Sequence, residues 1–338
     1  MAPPATILFS FRQLPTIIGM LAERGIDGIA LLKAHDLPAE AANGEITAPL
    51  ARIQAFINDA AKRLDAPLFG VDIAERVPRG AYGLMEFVVR ASPSVRHGLE
   101  ALCELSLLLN PLNEMRYIAD ARGCEVHFAY GGLRDALGMH LNEFTVAFVA
   151  KAFASTLGRA LPLERAWFAH ARSQHADDLA RRLGCNVGFM GVDSGFVVTS
   201  DVLMFKPSGS DPQLYDFLLS QAREKIANQG GNNVVAQVVR AIEARMAVSD
   251  VSAQAVAEAM GMTARSLQRH LADAGTTYRE VLARVRHRRR DELERGGLGE
   301  NDIAIKLGFS SARTMRRALD QGADQGGDDD ESGGTAES

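Results

Sequence analysis

Apolar residues between Val251 and Leu271 recur on a helical step, stop at a glycine and then resume. Val251, Val256, Ala257 and Met260 make one stripe, and Leu267 and Leu271 make a second. The pattern predicts two helices joined by a turn of about four residues. Ser252 is placed to cap the first helix by accepting a bond from a free amide of its first turn. Gly261 suits a left-handed C-terminal turn, Met262 reads as an apolar plug, and Thr263 is placed to cap the second helix. The polar face of that second helix carries Arg265, Ser266, Gln268 and Arg269. Arg matches the major-groove edge of guanine and Gln that of adenine, so this face has the side chains of a DNA-reading helix. An ordinary helical hairpin with a charged surface would share part of the pattern.

The design recurs about fifty residues later. Ile303, Ala304 and Leu307 form the inner face of a further helix, Gly308 ends it, and Phe309 stands where Met262 stood. Ser310 or Ser311 starts the next helix, with Met315 and Leu319 apolar and Arg313, Thr314, Arg316 and Arg317 polar. A repeat of this kind is architectural: two reading helices about one DNA turn apart can enter successive major grooves. Residues 276–297 read as one long joining helix, with Tyr278, Val281, Leu282 and Val285 as its buried stripe and Leu293 extending it.

Residues 1–227 carry a different pattern. LPTIIGMLAERGI, APLARIQAFINDAAKRL, SVRHGLEALCELSLLL and NEFTVAFVAKAFASTLG have helical spacing, with Ser94 as a cap for the third. EMRYIAD and CEVHFAY alternate like paired strands with a turn at Gly123, and LERAWFAH and NVGFMGVDSGFVVTS add strand material. Helices and strands interleave without strict alternation, which predicts an α+β fold for this half and an all-α fold for residues 234–321. The Gly- and Asn-rich stretch 228–233 reads as a linker, and 322–338 as an acidic tail.

These residues carry a resemblance. The C-terminal part resembles the DNA-binding domain of AraC/XylS-type bacterial transcription regulators, in which one long helix joins two helix-turn-helix units. GTTYRE at 275–280 is similar to that family's turn into the joining helix. The resemblance implies base-edge contacts by Arg265, Gln268 and Arg269 in the first unit and by Arg313, Thr314 and Arg317 in the second. Two departures stand out. His287, Arg288, Arg289 and Arg290 occupy positions where relatives place smaller or apolar residues, and the chain turns acidic where the family continues into a last packing helix. Loss of that helix would uncover Ile303, Leu307, Phe309 and Leu319 at roughly 1.5–3 kcal/mol per large side chain, which predicts a weaker second unit. The N-terminal half resembles the effector-binding domain of a subgroup of the same regulators, through Ala66–Gly70 and Gly80–Leu102. That resemblance implies a small, often apolar or amphipathic effector, a homodimer, and contact with RNA polymerase during activation. The dimer contact is expected on NEFTVAFVAKAFASTLG or DPQLYDFLLSQAREKI.

Composition agrees with a soluble cytoplasmic protein. The chain has 338 residues, 47% hydrophobic and 23% charged, with a net charge of -5. No apolar run reaches the roughly 18 residues of a membrane helix, and the N-terminus lacks a secretion pattern. Cys103, Cys124 and Cys185 read as isolated buried thiols. The acidic total hides a basic segment: residues 232–321 hold 15 Arg and Lys against 11 Asp and Glu, while the tail holds six acids and no base. The tail reads as a disordered solvating end or as an intramolecular competitor for the arginine-rich face.

Enzyme chemistry finds no footing. His170 and His175 are five apart, the wrong step for two metal ligands on one helix face. Gly131–Gly132 is a turn rather than a phosphate loop, and there is no GxSxG elbow. No cofactor or metal is expected. Glu86, in an apolar run, reads as a partner of Arg90 one helical turn on, or as a polar anchor for an effector. The expectation is therefore a sequence-specific DNA-binding transcription factor under small-molecule control. The alternative is an effector-binding or interaction protein whose DNA-reading half is degenerate.

Overall fold

The computed structural model describes residues 7–110, 112–131, 135–230, 234–246, 251–274, 276–295 and 297–323. The chain divides into two compact units, Met1–Ala236 and Gln237–Ser338.

The first unit opens with β1 (Leu8–Phe11), α1 (Leu14–Ala22) and α2 (Gly28–Ala34), then β2 (Ile46–Pro49) and α3 (Leu50–Arg63). β1 and β2 pair antiparallel as a separate two-stranded sheet, with Phe9 opposite Ala48. Asp27 caps α2, accepting from the amides of Ile29 and Ala30. α4 (Phe69–Arg76), α5 (Gly83–Ala91) and α6 (Val95–Leu105) follow. Ser94 precedes α6 but does not cap it, because its hydroxyl bonds His97 Nδ1 at 2.8 Å instead.

β3 (Asn113–Ala119) and β4 (Gly123–Tyr130) form the expected hairpin, closed by Asp120, whose carboxylate accepts from the amides of Arg122 and Gly123. α7 (Gly138–Leu157), β5 (Arg165–Trp167), α8 (Ala176–Leu183), β6 (Asn186–Gly188), β7 (Ser194–Thr199), α9 (Ser200–Leu203) and α10 (Pro212–Gly230) complete the unit. The second sheet runs β3-β4-β7-β5-β6, and only β5 and β6 pair parallel. On β4, Cys124, Val126, Phe128 and Tyr130 alternate onto one buried face, as the two-residue strand period requires.

α7 is apolar around most of its circumference and lies in the core; Ser155 is its one fully exposed residue. α7 therefore presents little exposed apolar surface for the expected dimer contact. α10 does present apolar side chains, Leu214 and Phe217, 45% and 60% exposed. α10 also continues to Gly230, so the first three residues of the expected linker are helical. Asn and Gln are tolerated in a helix, and one Gly costs only about 1 kcal/mol. Residues 231–233 lie outside the described residues.

The second unit is helical: α11 (Val234–Met246), across which the division falls, then α12 (Ala253–Ala259), α13 (Ala264–Asp273), α14 (Tyr278–Arg295), α15 (Glu300–Lys306) and α16 (Ala312–Ala323). α14 starts with a capping box: the amide of Thr277 donates to Glu280, and the amide of Glu280 donates to the Thr277 hydroxyl. Val281 and Val285 are its sealed positions. The expected loss of cover over the second helix-turn-helix is not observed. Ile303, Leu307 and Leu319 are 1%, 1% and 2% exposed, because Met246, Leu293 and Leu298 pack against them together with Phe309. α16 extends to Ala323, and the rest of the acidic tail, 324–338, lies outside the described residues.

Candidate functional site

The first helix-turn-helix is α12 and α13. Ser252 accepts from the amide of Ala255, and Thr263 from the amide of Ser266, each at 3.2 Å, so both helix starts are capped as the sequence predicts. Between them the chain reverses at Gly261, whose φ of 70° a side chain would oppose. Met262 is half-buried, and Leu267 and Leu271 are sealed in the interior. Burial of those leucines turns the opposite side of α13 outward, so Arg265, Gln268 and Arg269 are exposed and Ser266 is half-exposed. Apart from the Ser266 amide, none of the four side chains has a hydrogen-bond or ion-pair partner among the described residues. Tyr278 fixes the unit to the joining helix by donating its hydroxyl to the carbonyl of Val251 at 2.7 Å.

The second unit is α15 and α16, reversing at Gly308 with φ 79°. Ser311, rather than Ser310, caps α16 by accepting from the amide of Thr314 at 3.2 Å. Arg313, Thr314, Arg316 and Arg317 are exposed. Arg313 and Arg317 have no partner among the described residues. The Thr314 hydroxyl lies 2.9 Å from that of Ser311, and Arg316 Nε is 3.0 Å from Glu300 in the first turn of α15. Phe309 is covered by Arg286 of the joining helix, whose guanidinium sits 4.4 Å above the ring. Burial pulls the pKa of Arg286 down, and this contact was not legible in the sequence. Each unit therefore offers an outward face of arginines with a further polar side chain, Gln268 in the first and Thr314 in the second, the arrangement that reaches base edges and phosphates in a groove.

A cavity of about 100 Å³ lies in the first unit, walled by Phe9 and Phe11 of β1, Phe128 of β4, and Phe144 and Phe148 of α7, with Tyr82 and Arg12 also facing it. Sequence reading missed these residues, because they come from segments up to 140 positions apart. Glu86 and Arg90 line a smaller adjoining space. The Glu86 carboxylate accepts from the amide of Gly80 at 2.8 and 2.9 Å and lies 3.9 Å from Arg90. Its oxygens are thus engaged by the α5 approach loop.

Several other polar groups of the first unit pair with one another. Glu143, fully sealed, accepts from His170 and from two nitrogens of Arg172 at 2.7–3.1 Å. Asp193 accepts from Arg116, His127 and Trp167, each at 3.0 Å, and these partners outweigh burial to hold its carboxyl below the usual range. His175 bonds Asp178 at the surface. Burial pushes the Cys103 and Cys124 thiols up to about 12 and about 11, which leaves them protonated. Among the described residues no three His, Cys, Asp or Glu side chains are grouped to hold a metal, and no helix is long and apolar enough to cross a membrane.

Comparison with known proteins agrees with this two-part arrangement. The model of the arabinose-binding domain of AraC transcription regulators matches residues 25–206, and that of a helix-turn-helix domain matches 256–321. The chain is 24% identical over 306 residues to the HTH-type transcriptional regulator VirS of Mycobacterium tuberculosis, spanning 88% of this chain and 89% of that one. It is 23% identical over 308 residues to the ornithine utilization regulator of Pseudomonas aeruginosa, spanning 90% of each. The crystal structure of the transcriptional regulator CdpR from Pseudomonas aeruginosa aligns over 91% of this chain and 93% of that one, with 20% identity and a TM-score of 0.46. An effector-type domain over more than half of the chain, followed by two helix-turn-helix units, places this protein in the AraC family of transcription regulators.

Proposed function

We propose that a small effector bound in the first unit changes the affinity of the second unit for a promoter, so that the chain acts as a one-component transcriptional switch and not as an enzyme. The observation that supports this reading is the free outer face of α13, where Arg265, Gln268 and Arg269 have no partner among the described residues. Arg265, Gln268 and Arg269 read bases in one major groove, and Arg313, Thr314 and Arg317 read the next. Ser266 and Arg316 flank these contacts and meet the phosphate backbone. The effector part ends, and the DNA-binding part begins, in the region of residues 228–236. The protein acts in the cytoplasm as a homodimer, with Leu214 and Phe217 of α10 at the contact, and activates transcription by touching RNA polymerase.

The effector can couple the two activities only through different affinity for two states of the protein. A mobility-shift titration on DNA from upstream of the protein's own coding sequence tests the reading. A specific complex that survives excess unrelated DNA at about 150 mM salt is expected. A folded protein that binds specific and unrelated DNA equally would refute it.

A further inference from the structure

The cavity of the first unit has a polarity that its aromatic walls conceal. Most of its polar side chains are already paired. Asn110 accepts from the amide of Ser10 at 2.6 Å and donates to the carbonyl of Ser10 at 3.1 Å. Asn113 donates to Ser106, and Thr145 donates to Leu141. Two groups keep donors in reserve. The Tyr82 hydroxyl accepts from Gln13 Nε2 at 3.2 Å, and its own proton has no acceptor among the described residues. Burial holds this phenol protonated. Arg12 forms an ion pair with Glu45, closest at Nε with 2.9 Å, and its side chain makes no hydrogen bond among the described residues. The Arg12–Glu45 pair is half-open to solvent, at 26% and 42% exposure, so it can exchange. The acidic groups nearby, Glu45 and Glu86, are both engaged. What remains is donor capacity at Tyr82 and Arg12, both of which line the apolar chamber.

We infer that the effector is a monocarboxylate with an apolar body about the size of one aromatic ring, whose carboxylate replaces Glu45 on Arg12 and accepts the Tyr82 proton. This rests on the reading of the first unit as an effector domain. A chamber of about 100 Å³ limits the apolar body to one ring at most, since an engineered apolar cavity that takes benzene measures about 150 Å³. The guanidinium fork suits a carboxylate geometrically as well as by charge. Glu45 immediately precedes β2, and Arg12 immediately follows β1, so their ion pair clamps the open end of the two-stranded sheet that walls the chamber. Glu45 thus holds on Arg12 the place proposed for the ligand's carboxylate, and ligand entry releases the clamp.

The test is calorimetric titration of the full chain with benzoate, phenylacetate and hexanoate, against benzamide, phenylacetamide and hexanamide. At least one acid is expected to bind about 10- to 100-fold tighter than its amide, the value of a charge-assisted bond. Arg12→Gln removes that preference and leaves amide binding unchanged. Glu45→Gln, which removes the internal competitor, strengthens acid binding several-fold. Both substitutions lie at a half-open pair, and an unchanged unfolding temperature verifies the fold of each. Equal binding of acid and amide, or weaker acid binding in Glu45→Gln, overturns the carboxylate assignment while leaving the chamber as an effector site. A chamber that takes neither acids nor amides overturns both.

Discussion

In the first unit Glu143, sealed from solvent, accepts from His170 and Arg172, whereas in the second unit Arg265, Gln268 and Arg269 face solvent without partners among the described residues. The contrast extends further. Lys151 of α7 donates to the carbonyls of Ala74, Glu75 and Val77 at the end of α4, and Asp193 holds three donors. Such internally satisfied groups fix the shape of a core and leave little for an external polar partner. The first unit also holds an apolar chamber walled by Phe9, Phe11, Phe128, Phe144 and Phe148. In the second unit the apolar faces of the helix-turn-helix pairs are closed, and Arg265, Arg269, Arg313 and Arg317 are held outward on capped helices. One unit is built to enclose a small ligand, and the other to lie against a polyanion.

The two helix-turn-helix repeats differ in a similar sense on a smaller scale. Ser252 caps α12 with its side chain, while Gly299 at the same place before α15 has no side chain to do so. Arg316 of the second repeat is tied to Glu300, while the reading-face arginines of the first repeat have no such tie. The first repeat is therefore the one whose reading face is freest to engage bases.

Substitutions should separate the units by the quantity they disturb. Glu143→Gln leaves Arg172 without a counter-charge in the interior and should cost about 3–5 kcal/mol in denaturant unfolding of the first unit. Arg265→Ala should change unfolding by no more than about 0.5 kcal/mol. Comparable losses from both would break the contrast. Acid comes next. Burial, opposed only in part by Glu143, lowers the pKa of His140 to about 4, below its ordinary value of about 6.5. The unfolded chain then binds the extra proton first. Stability is full above about pH 6.5 and falls as pH drops toward 4, by about 3 kcal/mol in all. The lowered carboxyl of Asp193 adds a loss of the same sign at lower pH. Fluorescence of Trp167, the chain's one tryptophan and a donor to Asp193, should report the transition. His140→Gln should flatten the slope between pH 6.5 and 4.

Smaller effects sharpen the comparison between repeats. Ser252→Ala should cost about 1 kcal/mol, measured as faster amide exchange in α12. Gly299→Ser should stabilise α15 by a few tenths of a kcal/mol. A second repeat less protected than the first by several kcal/mol would contradict the complete cover seen over Ile303, Leu307 and Leu319. Smallest is Glu300→Gln, which frees Arg316 for phosphate. It should steepen the salt dependence of DNA binding by at most about one counterion.

The helix-turn-helix units were legible in the sequence because every signal there is local. Ser252, Gly261, Thr263 and Gly308 act within three or four residues of the groups they satisfy. The same holds for the β3–β4 hairpin, where Asp120 and Gly123 are neighbours in the chain. What escaped depends on distant partners. The Glu143–His170–Arg172 cluster spans 29 positions, and the chamber joins Phe9 to Phe148. Ser94 shows the limit even for local signals: it is a good capping residue, but His97 one turn on competes for its hydroxyl. The missing cover expected over the second repeat failed for the same reason. Leu293 and Leu298 were visible in the sequence, but their fold-back onto Ile303 and Leu319 was not.

The claim that the free face of α13 reads DNA is tested most directly by the specificity ratio of Arg265→Ala, taken as affinity for the upstream site over affinity for unrelated DNA at one fixed salt concentration. A fall of about 1–3 kcal/mol in that ratio is expected, with non-specific affinity changed far less. A ratio equal to that of the wild-type protein would contradict it.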